Sequence, residues 1–165
     1  MSPHAIRVRA AHPADAAMLA DWNAAMALET EDKRLDHDTV HAGVAAGIAD
    51  ATKARYFVAM EDANVAGAET VGIPVGTLML TTEWSDWRNG QWWWIQSVYV
   101  PPEHRRKGVF SALYRHVEHL AREAPGVVGL RLYVERENAN ALKTYEALGM
   151  TDAGYSILEA ELPTR

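Results

Sequence analysis

Apolar and polar residues follow two different periods in the first part of the chain. A period of two over Ile6 to Arg9 predicts a strand. Apolar residues then recur at helical spacing, which predicts one helix from Pro13 to about Leu28 and a second helix capped by Asp38. The pattern therefore predicts that the chain opens as strand, helix, helix.

The middle of the chain changes to a pattern typical of strands. Tyr56 to Met60 and Val75 to Thr82 are predicted strands, with a loop or loose hairpin from Asp62 to Pro74 between them. The Asn89-Gly90 pair is a strong turn signal that leads into a strand from Gln91 to Val100. Strict alternation along this last strand would place its side chains on two faces, Trp92, Trp94 and Gln96 on one and Trp93, Ile95 and Ser97 on the other.

The last third of the chain returns to alternating helices and strands. A helix is predicted after Gly108, then a strand carrying Leu130, Leu132 and Val134. Asn138 is a suitable cap for a fourth helix that ends at Gly149, and Tyr155 to Leu162 is predicted to form a last strand. This order predicts an α/β fold with a mixed, mostly antiparallel sheet and helices on both faces, as one domain over residues 1 to 165.

Composition narrows the class of protein further. The chain has 165 residues, 48% of them apolar, and no cysteine, so disulfides and thiolate sites are excluded and a cytoplasmic protein is expected. The net charge of −6 argues against a nucleic-acid partner or an anionic membrane. His37 and His41 share a helical face, as do His116 and His119, but neither pair has a third ligand at a fitting distance, and we expect no metal.

The stretch from Val98 to Ser111 carries the clearest chemistry. A buried-looking strand stops at two prolines, a basic turn with Gly108 follows, and a helix begins. The first N–H groups of a helix and the positive end of its dipole form an anion site, and Gly108 lets the backbone approach the anion closely. Ordinary solvated charge is the alternative. The sequence has neither a P-loop nor the Gly-x-Gly-x-x-Gly fingerprint, so a different phosphate-bearing cofactor is indicated.

These residues resemble the GCN5-related N-acetyltransferases. That family's pyrophosphate loop reads Gln/Arg-x-x-Gly-x-Gly/Ala, and the present chain agrees at Arg105 and Gly108 but has Phe110 in place of the last small residue. A second signature of the family is an asparagine, an alanine, a tyrosine and a glycine at fixed spacing, which this chain meets at Asn138, Ala141, Tyr145 and Gly149, with Met150 replacing the final aromatic. The order of elements over nearly the whole chain also agrees.

The resemblance implies an N-acetyltransferase that moves an acetyl group from acetyl-CoA directly to a primary amine of a small molecule or peptide. Tyr145 matches the position that gives a proton to the leaving thiolate, and a core residue is the alternative; Asn138 would contact the pantetheine arm or cap the helix. A backbone N–H near Val98 would stabilise the oxyanion. The cofactor would be held by Val98, Tyr99, Val100, Arg105, Arg106, Lys107, Gly108, Val109, Phe110, Ser111, Asn138 and Tyr145.

The sequence says less about the residues that would contact the acceptor amine. Trp92 to Ser97 contains no carboxylate that could serve as a general base, which leaves a non-catalytic acyl-CoA sensor of the same fold as the competing hypothesis. Core packing is expected for at least half of the tryptophan rings, and exposed rings would serve an acceptor pocket or a homodimer equally well. Candidate acceptor contacts are Glu29, Glu31, Asp32, Trp94 and Gln96, with Glu83 and Asp86 on the tryptophan-rich hairpin as further acidic residues.

Overall fold

A computed structural model describes residues 6 to 63 and 71 to 162, which form two compact units with a boundary between Leu132 and Tyr133. The first unit contains five strands and three α-helices. They are β1 Ile6–Ala10, α1 Ala16–Glu31, α2 His37–Ala49, β2 Arg55–Ala63, β3 Val71–Ser85, β4 Gly90–Tyr99, α3 Val109–Glu123 and β5 Val127–Leu132. The predicted opening of strand, helix, helix is confirmed, although α2 is capped by Asp36, whose side chain accepts from the Thr39 N–H, and not by Asp38.

The strands form one sheet in the order β1-β2-β3-β4-β5. The first three pairings are antiparallel and β4 pairs with β5 in parallel. Helices α1 and α2 cover one face, where Leu19, Val44 and Val58 share a buried cluster. Helix α3 covers the other face through Leu113 and Val117, both fully buried. The predicted mixed, mostly antiparallel sheet with helices on both faces is confirmed.

A bulge in β4 changes which side chains share a face. Ile95 pairs with Leu80 but Ser97 pairs with Met79, so Gln96 is an extra residue between them. Because paired residues point to the same face of a sheet, Ser97 lies on the face of Trp94 and not on that of Ile95. Strict alternation was therefore wrong for Ser97, since a bulge inverts the alternation beyond it.

The predicted loop from Asp62 to Pro74 is shorter than expected. Strand β2 continues to Ala63 and β3 begins at Val71; residues 64 to 70 lie outside the part of the chain that the structure describes. Pro74 is tolerated within β3 because it stands opposite Met60 at a shift of register, where the regular ladder is interrupted.

The second unit begins at Tyr133 and contains α4, Ala139–Ala147. Gly149 follows the helix with φ +85°, the left-handed conformation predicted for its terminator. Two strand predictions were wrong here: Val134 lies beyond the end of β5, and among the described residues Tyr155 to Leu162 form no strand. Alternation alone does not make a strand, which also needs a neighbour to pair with. The single domain stays a prediction.

Candidate functional site

The turn between β4 and α3 has the backbone geometry of an anion site. Pro101 ends the strand, a short 3-10 helix covers Pro102–His104, and two residues of the following turn have positive φ, Arg106 at 59° and Gly108 at 81°. Nothing lies within 4 Å of the position that a Cβ on Gly108 would occupy. The turn therefore has open space next to its backbone, as the close approach of a phosphate requires.

Helix α3 begins directly at this open space. Gly108 is its N-cap, no side chain caps it, and its first backbone hydrogen bond runs from the Ala112 N–H to the Gly108 carbonyl. The N–H groups of the residues before Ala112 belong to the first turn of the helix, where the helix geometry gives them no carbonyl partner further back in α3. The Phe110 ring lies 6.1 Å from the Tyr114 ring, one turn further along α3. The large Phe110 side chain thus points toward the next turn of α3. It does not move the Phe110 backbone out of the first turn.

Arg105 anchors the turn to the end of α1. Its Nε donates to the Val100 carbonyl at 2.9 Å, and its Nη1 and Nη2 lie 2.6 and 2.7 Å from the two carboxylate oxygens of Glu29. Hydrogen bonds from Arg105 lower the pKa of the Glu29 carboxyl. One predicted cofactor residue and one predicted acceptor residue are thus paired with each other. The exposed Arg106 and Lys107 supply the positive charge beside Gly108.

The second half of β4 has an open edge. Pairing between β4 and β5 ends at Ile95 and Leu132, whereas β3 continues to pair with β4 up to Tyr99. On the β5 side, no strand within the described ranges pairs with residues 96 to 99. About half of the N–H and C=O groups of a strand point to each side, so this edge, which includes Val98, offers unpaired backbone groups. The open edge leads directly through Val100 to the turn before α3.

Polar and aromatic side chains gather on the α1 and α2 face of β3, β4 and β5. Glu83 accepts hydrogen bonds from the Trp94 Nε1 and, at 2.7 Å, from the Arg131 Nη1. The Arg131 guanidinium carbon is 4.2 Å from the centre of the Trp92 ring. Two residues further along β4, Gln96 donates to the Thr81 hydroxyl at 2.9 Å. The sequence singled out Trp94 and Gln96 but not Arg131, because only the register of β5 against β4 reveals it.

The tryptophans differ in burial. Trp93 is 5% exposed and belongs to the core, whereas Trp84 and Trp87 are 59% and 87% exposed. Trp92 and Trp94 are half-buried. Only one of the five rings between positions 84 and 94 is therefore buried, fewer than expected.

An open groove of about 360 Å³ lies on the same face. Its wall is formed by α1, α2 and the strands β2 and β3, and it is mostly apolar. Thr81 lines this groove and pairs with Trp94 across β3 and β4. The groove therefore adjoins the polar and aromatic side chains around Trp94. The lining residues are Asn23, Val40, Gly43, Val44, Gly47, Lys53, Ala54, Tyr56, Met79 and Thr81. Glu31 and Asp32, the other predicted acceptor contacts, are exposed at the end of α1, with Asp32 in the left-handed conformation.

The second unit carries the other two predicted residues. Asn138 caps α4, and its side-chain oxygen accepts from the Ala141 N–H at 3.1 Å. Tyr145 is half-buried in the same helix, and this burial raises the pKa of its phenol. Asn138 therefore has the capping role that the sequence left open, and Tyr145 keeps its proton at neutral pH.

The described part of the chain shows neither a metal site nor a membrane-spanning helix. No group of three or more histidine, cysteine, aspartate or glutamate side chains there is arranged to hold a metal ion. The helices described are also too short or too polar to cross a membrane.

Comparison with known proteins identifies the family. Residues 18 to 150 match the sequence model of the Acetyltransferase (GNAT) family. The chain belongs to this family. A possible acetyltransferase from Clostridium difficile 630 is 41% identical, with a TM-score of 0.83, and the match covers 96% of this chain and 99% of that one. The resemblance inferred from the two sequence signatures is confirmed, and members of the family use acetyl-CoA.

More distant GNAT-fold structures share the architecture. An aminoglycoside N-acetyltransferase, AAC(6')-Iy in complex with CoA, is 15% identical with a TM-score of 0.73, and the match covers 96% of this chain and 95% of that one. A ribosomal-protein-alanine N-acetyltransferase from Brucella melitensis biovar Abortus 2308 is 20% identical with a TM-score of 0.67, covering 96% and 100%. At these identities the likeness shows the fold alone. No curated protein matches the chain.

Proposed function

We propose that this GNAT protein is a cytoplasmic N-acetyltransferase that moves an acetyl group from acetyl-CoA directly to a primary amine. The observation that carries the proposal is the open edge of β4, which joins the turn at Gly108 to the polar and aromatic face around Trp94. Pantetheine needs an extended binding edge and a diphosphate needs an anion site. Residues 96 to 111 provide, in sequence order, an open strand edge and a turn with open space beside its backbone.

The backbone around Gly108 would hold the diphosphate. The N–H groups at the start of α3, next to Gly108, would donate hydrogen bonds, and Arg106 and Lys107 would supply charge in a protein that is acidic overall. Arg105 acts indirectly, because its bonds to Val100 and Glu29 fix the turn against α1. The open position beside Gly108 fits a group that lies close to the main chain.

Acetyl-CoA, when bound, supplies an acyl thioester that an amine can attack. The amine nitrogen would bond to the thioester carbon as the carbon–sulfur bond breaks, and its surplus proton would pass to water. A backbone N–H near Val98 would donate to the carbonyl oxygen as negative charge develops on it. The Tyr145 hydroxyl would donate its proton to the departing sulfur, a role that its raised pKa supports because the phenol is fully protonated at neutral pH. Glu83 is not the base in this proposal, since both of its oxygens accept hydrogen bonds from Trp94 and Arg131.

Thiol release tests the proposal. The protein is mixed with acetyl-CoA and a panel of primary amines, including polyamines, aminoglycosides, amino acids and short peptides, and free CoA is measured over time. We expect amine-dependent release with at least one acceptor class, with the acetylated amine confirmed by mass spectrometry.

The absence of a carboxylate on Trp92 to Ser97 favours one competing function, a non-catalytic acyl-CoA sensor. Tight binding of acetyl-CoA with no turnover on any amine would support the sensor and contradict the enzyme. Failure to bind any coenzyme would contradict both.

A further inference from the structure

A second group of cationic side chains surrounds the Trp92 ring, at the end of β4 away from the turn at Gly108. The guanidinium carbons of Arg131 and Arg88 lie 4.2 and 5.2 Å from the centre of this ring. The ring itself packs on Gly129, where a Cβ would come within 2.5 Å of it. Two guanidinium groups therefore contact the same aromatic ring, and of the two, Arg131 is paired with Glu83.

The acidic groups nearby do not satisfy these donors. Glu83 takes one N–H of Arg131, and Asp86 is exposed and accepts from the Trp87 N–H. Over the described residues no other hydrogen bond is made by the Arg131 guanidinium, which has five N–H groups in total. The Trp92 Nε1 is buried and, within the same residues, has no acceptor. A buried indole N–H without an acceptor costs free energy, so the cluster as it stands has spare donors and no group to receive them.

The cluster lies on the face where the proposed acceptor would bind. Arg131 is paired with Trp94, one position before β4 and β5 separate. Val98 lies four residues after Trp94 and six after Trp92 on β4, and at about 3.3 Å per residue these separations are about 13 to 20 Å. A ligand that contacts both the cluster and the backbone near Val98 needs an anionic group separated by this distance from its reacting amine.

We propose that Arg131, Arg88 and the Trp92 indole N–H bind a carboxylate of the acceptor, and that they select acceptors with an amine and a carboxylate about 13 to 20 Å apart. Arg131 supplies a fixed guanidinium because Glu83 and the Trp92 ring hold it in place, and two N–H groups of a guanidinium match the two oxygens of a carboxylate. Short peptides with a free carboxyl terminus have this length and charge. That the bound ligand is an acyl acceptor rests on the proposed acetyltransferase function. The carboxylate site itself does not depend on that function.

The kinetic test compares tetraglycine with tetraglycine amide. Four extended residues span about 13 Å, and the two probes differ only in the carboxylate. We expect kcat/KM for the acid to exceed that for the amide by about tenfold or more, the factor that corresponds to about 1.4 kcal/mol. In Arg131→Gln and in Arg88→Gln this preference should fall toward one. Arg122→Gln, which removes an exposed arginine of α3, is the matched control and should keep the preference.

A binding test separates this inference from the proposed function. The indole N–H signal of Trp92 is assigned by its loss in Trp92→Phe and followed by NMR during titration with each probe. We expect it to shift with tetraglycine, not with the amide, and not in Arg88→Gln, whose exposed side chain can be replaced without disturbing the fold.

The outcomes are distinct. A shift of the Trp92 signal without turnover on any amine would keep the carboxylate site and overturn the acetyltransferase. Turnover with equal kcat/KM for acid and amide, or a Trp92 signal that neither probe moves, would overturn the carboxylate site and leave the acetyltransferase standing.

Discussion

The turn before α3 and the tryptophan-rich end of the sheet are built by different means. At the turn, the proposed binding groups are backbone N–H groups, and Arg106 and Gly108 have positive φ. At the other end, the proposed binding groups are the side chains of Arg88, Trp92 and Arg131, and Glu83 holds Arg131 in place. A site of main-chain groups tolerates side-chain exchange as long as the backbone keeps its path. A site of interlocked side chains changes with each substitution, as selection among acceptors requires.

The largest expected effect belongs to neither region. Tyr145→Phe keeps the half-buried ring and removes the hydroxyl, so kcat should fall by about a hundredfold or more, the usual contribution of a general acid. The Kd for CoA should change little. Steady-state kinetics and calorimetry on the same preparation measure both quantities. Undiminished kcat in the variant would remove Tyr145 from the reaction.

The pH profile adds a check on the same residue. Burial raises the pKa of the Tyr145 phenol above its ordinary value of 10.0, so the proton needed by the leaving sulfur is present throughout the neutral range. We expect kcat to show no alkaline decline from this group below about pH 10. A decline with an apparent pKa near 8 that is absent from Tyr145→Phe would contradict the assignment.

The next effect separates the turn from the tryptophan-rich end. Reversing two charges in Arg106→Glu with Lys107→Glu should raise the Kd for CoA by about tenfold or more, and added salt should reduce the difference between variant and wild type. The KM for the acceptor should change less than the Kd for CoA. Arg122→Glu, also an exposed reversal on or near α3, is the control and should bind CoA normally.

The matched change at the other end is Gly129→Ala. A methyl group there would lie 2.5 Å from the Trp92 ring, so the ring must tilt and the contact with Arg131 changes. We expect the acceptor KM to rise several-fold with the Kd for CoA unchanged. An equal loss of both affinities would mean that the two regions are not separable.

The smallest effect concerns the link between Arg105 and α1. Arg105 lowers the pKa of Glu29 from its ordinary value of 4.5, so the pair stabilises the folded state above pH 4.5 and loses that contribution as the pH falls through the lower folded value. Both side chains are substantially exposed, so the contribution is small. The Tm of Glu29→Gln should lie slightly below that of the wild type at pH 7, with the difference shrinking as the pH falls below 4.5. A constant difference would exclude the ion pair as its cause.

The sequence predicted the backbone of the turn before α3 better than the side-chain contacts at the tryptophan-rich end, for a physical reason. A strand, a proline that ends it, a glycine and a helix start are all short-range sequence signals. The backbone conformation of residues 98 to 111 can therefore be predicted from those residues alone. The partnership of Glu29 with Arg105 and that of Glu83 with Arg131 join residues far apart in sequence, and they depend on strand order and on the bulge at Gln96. The expected strand at Tyr155 to Leu162 failed because alternation says nothing about a pairing partner.

Calorimetric titration with CoA and with pantetheine tests the central claim most directly, because pantetheine keeps the extended arm and lacks the diphosphate together with the phosphorylated adenosine attached to it. If the backbone at Gly108 and the first turn of α3 hold the diphosphate, CoA should bind at least about a hundredfold more tightly, as a charged group held by several hydrogen bonds implies. Equal affinities for the two compounds, or no heat with either on folded protein, would contradict the account.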